Sequence, residues 1–140
     1  MSDSESIERL VRLAEIAETE AGRQLAESAA ALAAKEAEVA RLKRYLDEHR
    51  ASGRSDQVVG GALWSNAHAF GERLQIAIEA GEREAAALAE RHHEDVERWR
   101  TAHRRHAAMR ELAARQAAAE RREHARREQG ELDDRFARGK

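Results

Sequence analysis

The 140-residue chain carries 25 basic and 27 acidic residues, no proline, no cysteine and only 4% aromatic side chains. Most of its 41% hydrophobic content is alanine, which contributes little burial, so a layered globular core is excluded and a narrow helix-to-helix seam is expected. Without cysteine there can be no disulfide staple and no zinc-thiolate site.

From the N-terminus, "SDSES" offers serine and aspartate caps for a first helix. Beyond it, Val11, Glu18, Leu25, Leu32, Val39 and Leu46 recur every seven residues, beside Ile7, Ala14, Ala21, Ser28, Lys35 and Leu42. This spacing predicts a coiled-coil seam, made leaky by Glu18, Ser28 and Lys35. The stretch "HRASGRSDQ" holds the residues that end one helix and cap the next, which places a reversal at about residues 51–57. The second arm, about residues 58–138, repeats the pattern with Leu74, Gly81, Leu88, Asp95, Ala102 and Met109 beside Ile78, Ala85, His92, Trp99, His106 and Ala113.

The fold expected is therefore all-α, a single coiled-coil domain over residues 1–140. It is a long two-helix antiparallel hairpin with arm one at about residues 7–50. The alternative is one continuous rod forming a parallel dimer, which Gly60 and Gly61 would weaken by about 1 kcal/mol each. With Leu46 opposite Trp64, Ile7 would face the neighbourhood of His103, and everything beyond about His106 would form a C-terminal helical overhang. No apolar run approaches the roughly 20 residues of a membrane span. The opening "MSDSESIERL" lacks a signal-peptide layout, so a cytoplasmic chain is expected.

Charge is unevenly spread: residues 1–50 and 51–90 each carry −3, whereas residues 91–127 carry +5 and five of the seven histidines. A basic helix of this kind can meet phosphates. Here acidic residues interrupt it and no aromatic platform accompanies it, so a solvated face with ion pairs or a docking surface for an acidic protein is expected, with no nucleic acid. His92, His93, His103 and His106 have helical spacing but no third ligand placed by the pattern, so no metal site and no cofactor are expected. There is no phosphate loop, and a thin hairpin has no cleft in which to desolvate a catalytic set, so no enzymatic activity is expected.

The runs "LKRYLDEHR", "WSNAHAFGERLQIAI", "ERWR" and "LDDRFAR", in this order, span both arms and resemble the FliJ family of flagellar type III protein export. Asn66, Phe70, Leu74, Ala77 and Ile78 follow a pattern that heptads alone do not demand, and Asp133, Asp134, Phe136 and Ala137 match the family's tail. The resemblance implies an antiparallel coiled coil similar to the central stalk of rotary ATPases, whose two chain termini enter the hexameric ring of the export ATPase (FliI). Its other region would contact the cytoplasmic part of the export gate protein (FlhA) at the inner membrane, and family members also assist export chaperones. These roles imply a monomeric, peripheral component serving flagellum assembly and motility.

Carried over by position, the gate-facing surface is Leu42, Tyr45, His49, Phe70, Leu74 and Ala77. Tyr45 and His49, like Phe70 and Leu74, are four apart and so share a helix face; the same residues could instead close the hairpin. Gly81 stands where the family pattern suggests a larger side chain. Arg104, Arg105, Arg115, Arg121 and Arg122 on the basic helix are the candidates for contact with the ATPase ring. The alternative reading is a structural coiled-coil adaptor, or the equivalent stalk of a virulence secretion system.

Overall fold

A computed structural model describes residues 3–55 and 60–139. They form two helices, α1 (Asp3–Ser55) and α2 (Gly61–Arg138), which pack against each other. Unbroken helix of this length follows from alanine-rich composition and the absence of proline. Asp3 and Glu5 complement the dipole at the start of α1, as Arg135 and Arg138 do at the end of α2. The amides of Leu63 and Trp64 both donate to the Gly60 carbonyl, closing the first turn of α2.

Residues 51–55, expected in the reversal, are helical. Residues 56–57 of that stretch lie outside the described residues.

Contacts divide the chain into two compact units, residues 23–97 and residues 1–22 with 98–140. In the first, the turn unit, Val39, Leu46, Leu74 and Ile78 form a buried apolar cluster with Leu42 packed against it. Burying each such side chain contributes about 1.5–3 kcal/mol. Gly81 is buried here because Val39 occupies its space: a Cβ on Gly81 would stand 2.7 Å from Val39 Cγ2. The missing larger side chain is thus the hole that receives Val39.

Away from the cluster the seam of this unit turns polar. Ser28, buried, donates to the Leu25 carbonyl and lies 3.4 Å from His92 Nδ1. Lys35 reaches both Glu38 and Glu84, which raise its pKa, Glu84 most; Lys43 pairs with Glu82.

In the second, the terminal unit, Ala14 is buried and the Trp99 indole lies over Gly22. His103 and His106 bring Nδ1 to 2.9 Å and 2.6 Å from the two carboxylate oxygens of Glu18. Both units are antiparallel, since partners on α2 rise in number as those on α1 fall. Every expected seam position is buried or half-buried.

The axial register differs from expectation. Leu46 packs with Leu74 rather than opposite Trp64, which is 64% exposed. In the terminal unit His103 meets Glu18, not Ile7. The continuation of α1 through Ser55 moves the pairing by about ten residues. Half-buried positions on α2 accordingly run on through Ala118, with Glu123 beyond, so the overhang starts there rather than at His106.

Candidate docking surfaces

The six residues expected to face a gate all fall in the turn unit, in three different environments. Leu74 is a core residue and Leu42 packs against the core, so their side chains serve the seam. Ala77 is half-buried. Tyr45 and Phe70 are 54% and 47% exposed, which leaves them as the accessible members of the set.

His49 links the helices. Its Nε2 lies 2.7 Å from the Ala67 carbonyl oxygen, which can only accept, so the ring carries its proton on Nε2. The same ring meets Phe70 edge-on, with centroids 5.1 Å apart at 71°. The structure therefore brings His49 and Phe70 into contact and gives Phe70 a fixed backing on one side.

Leu63, Trp64 and Ile76 add three more large apolar side chains, each 64% exposed. Sequence reasoning passed over Leu63 and Ile76. The signal was available, because both are large apolar residues outside the two heptad sets of α2.

The arginines considered for the ring, Arg104, Arg105, Arg115, Arg121 and Arg122, are all exposed on α2 in the terminal unit. Arg115 is 2.7 Å from Glu111, and Glu123 is engaged by Arg126 and Arg127. These pairs consume nearby carboxylates. Arg104, Arg105, Arg121 and Arg122 make no ion pair among the described residues. Their charge is therefore available to a partner, which a face neutralised by its own ion pairs would not offer.

The histidines are drawn into the seam. His103 also stacks on Trp99, with centroids 4.9 Å apart, and its bond with that of His106 holds the Glu18 carboxyl below the usual carboxylate range. Among the described residues no group of three His, Asp or Glu could hold a metal ion, and no helix is long and apolar enough to cross a membrane.

The described residues form two long paired helices with large apolar side chains exposed on both units. The family model for the flagellar FliJ protein matches residues 3–139. The chain belongs to the FliJ family. FliJ membership makes it a protein related to flagellar export, in a family whose members are non-catalytic export components. No curated protein and no solved structure matches the chain.

Proposed function

We propose that this chain is a coiled-coil stalk of the flagellar type III export apparatus. In this reading it promotes assembly and activity of the export ATPase ring, couples the ring to the export gate at the cytoplasmic face of the inner membrane, and assists export chaperones. The observation that carries the reading is the family match across nearly the whole of two packed helices.

The gate contact centres on Tyr45 and Phe70, with His49 backing Phe70 and Leu42, Leu74 and Ala77 holding the two helices beneath them. Exposed aromatics on a rigid base are what a binding hot spot requires. Contact with the ring falls to Arg104, Arg105, Arg115, Arg121 and Arg122, whose charge favours an acidic lining. A stalk acts through differential contacts with the states of the ring and does no chemistry of its own.

The test is ATP hydrolysis by the purified export ATPase titrated with this protein. A rate that rises with the ratio, and a smaller rise with Arg104, Arg105, Arg121 and Arg122 changed to Glu, supports the reading. An unchanged rate at every ratio refutes it.

A further inference from the structure

The export reading gives no task to one outer face of α1 in the terminal unit. Leu10, Leu13 and Ile16 lie outside both heptad sets and are 46%, 57% and 64% exposed, so the seam does not use them. Arg9 stands four residues before Leu13 and Glu20 four residues after Ile16, and both are exposed. At about 100° per residue, Arg9, Leu13, Ile16 and Glu20 fall within an arc of about 60° and form one stripe along the helix.

The stripe is symmetric in spacing about a midpoint between Ala14 and Glu15, and antisymmetric in charge. Turned end for end against a second copy of itself, it sets Leu13 against Ile16 and Arg9 against Glu20, twice over. A parallel pairing would instead set arginine on arginine and glutamate on glutamate. In the sequence the antisymmetry extends outward, with Glu5 before the stripe and Arg23 after it. Arg9 and Glu20 already make contacts within the chain. Exposed contacts of that kind are weak and leave the charge to be met by a second copy.

We infer that this stripe is an isologous contact between two copies of the chain, packed antiparallel through the outer face of α1. In a two-fold contact each residue meets the residue that meets it in return, which is the pairing that the reversed charges supply. The apolar pairs form the middle of the contact, and the guanidinium of Arg9 closes each end on the Glu20 carboxylate of the second copy. A single helix-on-helix contact of about 12 residues is small beside a permanent interface, so the dimer is weak and depends on concentration. The arginines assigned to the ring lie on α2 and the gate aromatics in the turn unit, so this contact stands or falls apart from both.

Sedimentation equilibrium of the full-length protein, from micromolar to near-millimolar concentration, tests the inference. Wild type is expected to pass from monomer to dimer as concentration rises. Arg9→Glu and Glu20→Arg should each weaken the dimer at least tenfold, since each puts two like-charged pairs into it. An equimolar mixture of the two variants should associate within threefold of wild type, because every facing pair is again opposite in sign.

Leu13→Gln should also weaken the dimer at least tenfold, with helicity retained in circular dichroism because the side chain takes no part in the seam. Protein that stays monomeric throughout the range overturns the inference. So does a dimer indifferent to Arg9→Glu or Leu13→Gln, which would place the contact elsewhere, or a mixture that associates no more tightly than its two components.

Discussion

The apolar cluster of the turn unit and the Glu18 clasp of the terminal unit use one heptad frame in opposite ways. Around Val39, Leu46, Leu74 and Ile78 the helices are held by burial, with a glycine hole that admits a single arrangement. Around Glu18 the seam is held by two imidazoles on one carboxylate, under a tryptophan that spans a glycine. Burial is indifferent to pH and ionic strength, whereas the clasp depends on charge. One region therefore fixes register and the other makes its stability conditional.

The largest effect should come from the cluster. Ile78→Ala removes a side chain that is 3% exposed and should cost about 3 kcal/mol in urea denaturation, within the usual range for truncation in a core. A cost near zero would mean the cluster does not hold the helices together.

The two seam glycines sharpen the contrast through sign. Gly22→Ala places its Cβ 3.6 Å from Trp99, ordinary contact, and should stabilise by about 1 kcal/mol through helix propensity. Gly81→Ala drives a Cβ into the stiff branched side chain of Val39, and overpacking of about 1–3 kcal/mol should outweigh the same gain. Adding Val39→Ala should relieve part of that penalty, read as a coupling energy in a double-mutant cycle.

The clasp should show itself in pH. The Glu18 carboxyl is held low by His103 first and His106 second, so its contribution is present above the usual carboxylate range and fades as pH falls through the lowered value. The stability advantage of wild type over Glu18→Gln should accordingly be full near pH 6 and shrink toward pH 3. The Ile78→Ala penalty should persist across that range. Hydrogen exchange in residues 3–22 and 98–118 would locate the change.

The smallest effect belongs to the end of α2, where Arg126 and Arg127 both pair with Glu123 along one helix. Each pair is worth about a few tenths of a kcal/mol, so salt should lower helicity slightly there and leave the apolar cluster untouched.

Heptad phase was legible because it is local: a residue's place on the helix face depends only on its neighbours. Axial register was not, because alanine, serine and lysine at seam positions allow a slide that only specific pairs forbid. Val39 in the Gly81 hole and Glu18 between two histidines are such pairs, and neither has a sequence signature. The end of α1 was misjudged for a related reason. Gly53 and its polar neighbours resemble a turn, but one glycine costs about 1 kcal/mol and the continuing helix absorbs it. Of the candidate surface, the exposure of Tyr45 and Phe70 follows from their lying outside the heptad sets, whereas the hydrogen bond of His49 to Ala67 across the helices depends on register.

Flagellar motility of a deletion strain bears most directly on the central claim, that this FliJ protein works in export through exposed side chains on an inert seam. The strain would carry either the wild-type gene or a Tyr45→Ala/Phe70→Ala version, with circular dichroism on both purified proteins. The account predicts that the double variant keeps its helicity and melting temperature while motility is lost. Motility restored by the variant as fully as by wild type, or lost together with helicity, would contradict it.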